Sequence, residues 1–101
     1  MAIKGFSHKG LKNFFYNGDE SGIDSNHLGK IEVMLDYIDA SHNPADIKAI
    51  YKEKFEEKKG SAKGVYSIKI NGNWRITFQI SDDGAIFLDY RDYHGKQIKA
   101  R

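Results

Sequence analysis

The chain has 101 residues, of which 40% are hydrophobic and 30% charged, so we expect one compact domain with a single core. Cysteine is absent, which excludes a disulfide framework and a thiolate metal site and fits a reducing compartment. No apolar run approaches the length that spans a bilayer, and the N-terminal residues lack the hydrophobic region of a signal peptide, so we expect a cytoplasmic protein with no membrane partner.

The net charge of +2 is unevenly distributed along the chain. Residues 1–47 hold four lysines against seven acidic residues, whereas residues 48–81 hold eight basic residues against three acidic ones. A phosphate backbone could dock on such a basic segment, although charged surface loops without a ligand are also common. The four histidines lack the spacing of a zinc site and no glycine-rich phosphate loop occurs, so we expect no metal and no cofactor.

In the first part of the chain we predict a short strand and two helices. The strand covers residues 3–6, and a helix follows between Ser7 as its N-cap and Gly18 as its C-terminal stop. Asp24 or Ser25 begins the second helix. This helix carries an apolar stripe with the spacing of one buried face, formed by Leu28, Ile31, Met34, Leu35 and Ile38.

A third helix and a charged loop are predicted before the sheet. Asn43 is the N-cap of this helix and Pro44 occupies its first turn. Its apolar side is formed by Ile47, Ile50 and Tyr51. The segment 52–64 is highly charged and contains two glycines, so we expect a surface loop that Phe55 anchors to the domain.

The stretch 65–80 has the alternating pattern of a β-hairpin, in which the apolar strand positions carry even numbers. A three-residue loop at 71–73 keeps the apolar faces together, because it pairs Ile70 with Trp74. Asn73 then adopts the left-handed conformation.

On its polar face this register places Lys69 directly beside Arg75. Two like charges in this position are destabilising unless an anion relieves them, which makes the pair a candidate phosphate contact. The alternative is that the two flexible side chains extend into water or find separate carboxylates.

A turn at 81–84 leads into a further antiparallel strand at 85–90. Because residues 86–88 are all apolar, the pattern leaves open which face of this strand is buried. It also leaves open whether Asp89 pairs with Arg75.

The predicted fold class is therefore α+β, with N-terminal helices packed in a second layer on a small antiparallel sheet. We expect a single domain over residues 1–101, with a flexible tail at 95–101.

The sequence resembles the HigB toxins, also called plasmid-maintenance killer proteins, of the RelE and ParE superfamily. The likeness rests on the pattern GxxxGxxSIxINxxWRIxF at residues 60–78, on DYxDYH at 89–94 and on the opening IKGFSHKGL at 3–11. The resemblance implies a ribosome-dependent endoribonuclease that cuts mRNA in the A site of the 70S ribosome. It also implies a helix-turn-helix antitoxin as the cognate partner.

When the family's residues are matched one by one to this sequence, the resemblance implies that Arg75 stabilises the reacting phosphate. It also implies that Tyr93 and His94 form a terminal catalytic pair. Lys59 matches a lysine of the family's loop. The sequence departs from the family in that loop, because EEKKG begins at Glu56 where many members read HPLKG. Glu56 thus stands in place of a histidine, and the tail after His94 is longer than in many members.

RNA cleavage without a metal needs a base for the 2′-hydroxyl, a cation for the phosphorane charge and an acid for the leaving oxygen. Arg75 has the fork geometry for two phosphate oxygens. His94 titrates nearest neutral pH and serves as acid or base, Tyr93 stacks on a base or donates a proton, and Glu56 is the candidate general base. The candidate RNA-binding residues are Lys58, Lys59, Lys63 and Lys69.

Each assignment has a structural alternative. Glu56 could be an ordinary solvated carboxylate, and Arg75 could form an ion pair with Asp89. Tyr93 and His94 could belong to a disordered chain end. Two other functions also fit the resemblance. One is a non-catalytic toxin of the ParE kind that inhibits a protein such as DNA gyrase, and the other is an RNA-binding homologue without catalysis.

Overall fold

The computed structural model describes residues 1–93, which form three α-helices and a four-stranded sheet. The predicted tail at 95–101 lies outside the described residues. The elements in chain order are α1 (Lys9–Asn17), α2 (Leu28–Ala40), α3 (Pro44–Tyr51), β1 (Phe55–Glu57), β2 (Tyr66–Asn71), β3 (Trp74–Ser81) and β4 (Gly84–Asp92). The helices pack on one face of the antiparallel sheet, which confirms the predicted α+β class.

Helix α1 ends as predicted but begins one residue later. Gly18 adopts the left-handed conformation at φ 71°, where a residue without Cβ is favoured. The N-cap is His8, whose Nδ1 accepts a hydrogen bond from the Leu11 N–H at 3.0 Å. The prediction of Ser7 as the N-cap was wrong, because the side chain that caps the first turn is the His8 imidazole.

Helix α3 begins at its predicted N-cap, whereas α2 begins at Leu28, later than the predicted start at Asp24 or Ser25. The Asp24 side chain accepts from the Asn26 N–H at 2.9 Å and opens a short 3-10 turn that leads into α2. Asn43 caps α3 by accepting from the Asp46 N–H at 3.1 Å. Ile50 was wrongly predicted to face the domain and is 47% exposed. The buried members of the two helices are Ile31, Met34, Leu35, Ile38 and Ile47.

The sheet is a meander in the order β1-β2-β3-β4, with every pair of neighbouring strands antiparallel. Strand β1 lies within the predicted surface loop 52–64 and was missed, because three residues are too short for a periodic pattern. Phe55 anchors this segment as predicted, since it lies opposite Ile68 and stacks on Tyr66 with 5.8 Å between ring centroids.

The hairpin register is confirmed for most of its length, with Lys69 directly opposite Arg75. At the turn, however, a bulge sets Trp74 opposite Asn71 instead of the predicted Ile70. The residue with positive φ is Gly72, at 55°, and not Asn73. Glycine takes this conformation at lower cost because it has no Cβ, so the bulge forms around Gly72.

A second bulge determines which face of β4 is buried, a question that the sequence left open. Thr77 lies opposite Asp89 and Gln79 opposite Ile86, so β4 contains one extra residue in this interval. Phe87 has a positive φ of 54° and is the residue displaced by the bulge. The bulge changes which side chains face the core, and the core side chains of β4 are those of Ala85, Leu88 and Tyr90.

The N-terminal segment contacts β4 in parallel instead of forming a regular strand. The predicted strand at 3–6 is reduced to two bridges, from Ile3 to Ala85 and from Phe6 to Leu88. Gly84 permits this approach, because a Cβ there would lie 2.1 Å from the carbonyl oxygen of Ala2.

The main core lies between the helices and one face of the sheet. Its largest fully buried side chain is that of Phe78, on the middle of β3. A separate small cluster on the other side consists of Ala62 and Val65, with Tyr93 packed against them. Within residues 1–93, no helix is long and apolar enough to cross a membrane.

Candidate active site

The polar side chains of the sheet form two rows that run across the strands. In the first row, cross-strand neighbours in order from β1 to β4 are Glu56, Ser67, Thr77 and Asp89. In the second row, from β2 to β4, they are Lys69, Arg75 and Arg91. Side chains alternate between the two faces of a strand, so both rows lie on the face opposite the helices, while Ile68, Ile76 and Tyr90 enter the core. We call this polar side of the sheet the site face.

Arg75 is half-buried on the site face and is held by the hairpin turn. Its Nη1 donates hydrogen bonds to the carbonyl of Gly72 at 2.8 Å and to that of Trp74 at 3.1 Å. The register places Asp89 opposite Thr77 instead of opposite Arg75. The guanidinium is therefore oriented by backbone carbonyls of the hairpin turn.

Lys58 joins two of the predicted site residues. Its Nζ lies 3.1 Å from Oε2 of Glu56 and 4.9 Å from the ring centroid of Tyr93. The Lys58 side chain is only 12% exposed, whereas that of Glu56 is 61% exposed. The ammonium group thus forms an ion pair on one side and a cation–π contact on the other, which holds the carboxylate and the ring close together.

Tyr93 is brought back to the sheet at the end of β4. Its N–H donates to the Asn73 carbonyl at 2.7 Å, in the same hairpin turn that holds Arg75. Its ring packs on Ala62 and Val65 in the segment between β1 and β2. Tyr93 is thereby anchored at both the turn and the charged segment, although it follows the last residue of the strand.

The remaining predicted residues are placed less closely together. Lys59 and Lys63 are exposed on the segment that joins β1 to β2, and Lys69 is exposed on β2. Lys58 differs from these three, because its charge is largely covered by Glu56 and Tyr93. His94 lies outside the described residues 1–93.

Three residues of the site face were not singled out from the sequence. Arg91 joins the cationic row only because the bulge in β4 sets the register. Ser67 and Thr77 are 1% and 4% exposed, and Ser67 Oγ has no hydrogen-bond partner among residues 1–93. The alternating pattern of the hairpin assigns both hydroxyls to the polar face, and this was the available signal.

The three-helix layer, the meander sheet and the cationic site face agree with a toxin fold. Residues 4–94 match the model of HigB-like toxins, which are RelE-like toxins of type II toxin–antitoxin systems, and the chain belongs to this family. The resemblance seen in the sequence is thus confirmed, and membership in the family implies an antitoxin partner.

A relative is similar over nearly the whole chain. The chain is 40% identical over 93 residues to the Endoribonuclease HigB of Proteus vulgaris. The match covers 91% of this chain and 99% of the relative, so the two proteins share their full domain.

Proposed function

We propose that the protein is the endoribonuclease toxin of a type II system, cleaving mRNA in the A site of the 70S ribosome without a metal ion. The family and the name of the Proteus vulgaris relative support the endoribonuclease activity. The main support for the mechanism is that Arg75, Glu56 and Tyr93 all lie on the site face. The protein acts in the cytoplasm, where ribosomes and mRNA are found.

In the proposed reaction the 2′-oxygen of one nucleotide attacks the adjacent phosphorus, and the bond to the 5′-oxygen of the next nucleotide breaks. The 2′-hydroxyl proton passes to the base, and the departing 5′-oxygen receives a proton from the acid. The products are a 2′,3′-cyclic phosphate and a free 5′-hydroxyl, so no cofactor is consumed.

Arg75 stabilises the negative charge that develops on the phosphorane oxygens. Two of its contacts are to backbone carbonyls of the hairpin turn, at 2.8 Å and 3.1 Å, so the guanidinium is oriented before the substrate arrives. Such preorganisation is effective because the group does not have to rearrange as charge develops. Arg75 is therefore the principal catalytic residue of the proposal.

Glu56 is the proposed base, Tyr93 stacks on a nucleobase or supplies a proton, and His94 is the proposed acid. The 3.1 Å contact with Lys58 orients the Glu56 carboxylate, and the 61% exposure of that side chain leaves it accessible to a 2′-hydroxyl. The assignments to His94 and Glu56 can be exchanged, since either group can transfer a proton. The pH–rate profiles of Glu56→Gln and His94→Gln distinguish the two assignments.

The exposed lysines bind RNA phosphates and do not read its sequence. Lys59 and Lys63 are exposed on the segment that joins β1 to β2, and Lys69 is exposed on the site face beside Arg75. Contacts to phosphate position a nucleic acid but carry no information on bases. We therefore assign the alignment of the codon to the ribosome and the control of the toxin to a helix-turn-helix antitoxin.

Replacing Arg75 with alanine tests this function directly. We expect Arg75→Ala to lower the rate of cleavage of ribosome-bound mRNA at least about a hundredfold, since a preorganised donor of this kind contributes ~3 to 4 kcal/mol to the transition state. Primer extension on ribosome-bound message measures the rate, with Lys48→Ala on the exposed side of α3 as the matched loss of a cation.

Two outcomes would contradict the proposal. Efficient cleavage of naked RNA would remove the dependence on the ribosome. Growth arrest by Arg75→Ala without any RNA cleavage would favour a non-catalytic toxin that inhibits a protein target.

A further inference from the structure

We propose that Arg91 is a substrate-positioning residue, which binds the RNA phosphate next to the one that reacts. This inference rests on the endoribonuclease function proposed above. Arg91 occupies the unspecified position of the DYxDYH pattern and was not a candidate in the sequence, but the register places it directly opposite Arg75. Its function follows from the row of charges that the two arginines form with Lys69.

The row contains three cations on three adjacent strands. Lys69 lies opposite Arg75 and Arg75 lies opposite Arg91, without an acidic residue between them in the row. Neighbouring strands are 4.7–4.9 Å apart, so the Cα atoms of the row span about 10 Å. Like charges in directly opposed positions are destabilising, and an extended anion relieves the repulsion along the whole row.

The neighbouring row has the opposite character. It carries carboxylates at both ends, Glu56 and Asp89, with the hydroxyls of Ser67 and Thr77 between them. Lys58 and Arg91 compensate these two carboxylates in part, whereas the cationic row itself contains no acidic residue. A polyanion approaching the site face is therefore attracted along the cationic row. The backbone of the RNA therefore crosses the strands from Lys69 to Arg91, with Arg75 at the centre.

Arg91 differs from Arg75 in the way it is held. Its side chain is 45% exposed, and its Nε lies 3.8 Å from Oδ2 of Asp89, at the long end of the range for an ion pair. The ion pair is long and its arginine is half-exposed, so a phosphate can take the place of Asp89 at the guanidinium at small cost. Arg75 is instead half-buried and fixed by two carbonyls.

This difference predicts a division of roles between the two arginines. A fixed guanidinium stabilises charge that appears only in the transition state, and its loss lowers the maximal rate. An exposed guanidinium that meets a phosphate already charged in the substrate contributes to binding and alignment, and its loss raises the concentration needed for half-saturation. Arg91 belongs to the second kind.

The test measures single-turnover cleavage of ribosome-bound mRNA against toxin concentration for wild type, Arg91→Gln and Arg91→Lys. We expect Arg91→Gln to raise the half-saturating concentration about tenfold and to lower the maximal rate less than about threefold, as the loss of one charge-assisted contact predicts. Arg91→Lys recovers part of the affinity because it keeps the charge. Lys48→Gln, an exposed cation of α3, is the matched control.

A second measurement uses binding without cleavage. The affinity for a short 2′-O-methylated single-stranded RNA, followed by fluorescence anisotropy over a range of salt concentrations, reports the number of phosphate contacts. For Arg91→Gln the slope of log K against log salt should become shallower by about 0.7, the value for one phosphate of a single strand. Thermal unfolding of the same variants reports any structural role of the contact with Asp89.

The outcomes separate this inference from the function on which it rests. An unchanged half-saturating concentration and an unchanged salt slope would overturn the role of Arg91 even if the wild type cleaves mRNA. The role would also be overturned if Arg91→Gln has a lower affinity together with a lower unfolding temperature, and Arg91→Lys recovers none of the affinity. If the wild type cleaves no RNA, the proposed function fails, and the anisotropy measurement alone decides whether Arg91 binds phosphate.

Discussion

At the scale of single residues, Tyr93 is held by the fold more firmly than its place after the last strand suggests. Its N–H bonds the Asn73 carbonyl, its ring packs on Ala62 and Val65, and Lys58 lies over the ring at 4.9 Å. These contacts involve the ring and the backbone, and they do not need the phenol hydroxyl. They favour a role for Tyr93 in packing and stacking over a role as proton donor.

The comparison of two substitutions at Tyr93 tests this interpretation. We expect Tyr93→Phe to retain cleavage within about threefold, because the ring still packs and stacks. Tyr93→Ala should lose about tenfold or more, since stacking of an aromatic side chain on one base contributes ~1 to 3 kcal/mol. Single-turnover cleavage of ribosome-bound mRNA measures both, and equal losses in the two variants would show that the hydroxyl itself transfers a proton.

The site residues differ in how far the sequence predicted their placement. The position of Arg75 on the polar face followed from the alternation of the hairpin, which is a local pattern. The contacts of Lys58 with Glu56 and Tyr93 could not be predicted, because they join the segment before the hairpin to the end of β4. Lys58 was therefore assigned to RNA, whereas the structure pairs its charge within the protein.

At the scale of elements, a buried polar contact joins the start of α2 to the two strands that carry the site. His27 Nδ1 and the Tyr90 hydroxyl are 2.6 Å apart, and the imidazole ring lies 5.5 Å from the Trp74 ring. Trp74 immediately precedes Arg75, and Tyr90 lies on the same strand as Arg91. The helical layer thereby supports the strands from the face opposite the site.

Removing the Tyr90 hydroxyl tests the strength of this support. We expect Tyr90→Phe to lower the free energy of unfolding by about 1–2 kcal/mol, because a buried nitrogen of His27 loses its hydrogen-bond partner. Urea denaturation measures the change. Tyr16→Phe is the matched control, since that tyrosine is 56% exposed. An equally small effect of both substitutions would show that the buried contact does not contribute to stability.

At the scale of the whole molecule, burial of three tyrosines makes stability depend on alkaline pH. Burial raises the pKa of Tyr51, Tyr66 and Tyr90 above the ordinary value, because the phenolate is poorly solvated inside the fold. A raised pKa means that the folded state binds the proton more tightly than the unfolded chain. The stabilisation is therefore complete below the unfolded pKa and is lost as pH rises through the raised values.

We accordingly expect the free energy of unfolding to fall as pH rises above about 10, the unfolded pKa of tyrosine. The fall should be less steep in Tyr90→Phe, because one of the three groups that bind a proton in the folded state is absent. Urea midpoints between pH 8 and pH 11 measure both proteins. Deprotonation of lysines is common to the two, so identical slopes would contradict a contribution from Tyr90.

The sequence by itself determined the three helices, the hairpin and the face on which Arg75 lies, because caps and alternation act between residues close together in the chain. Only the tertiary structure decided that Phe87 forms a bulge, that Arg91 thereby faces the site and that Lys58 meets Tyr93. Each of these depends on register or packing between segments distant in sequence. Many registers satisfy the same local pattern, and the packing of the core selects one of them.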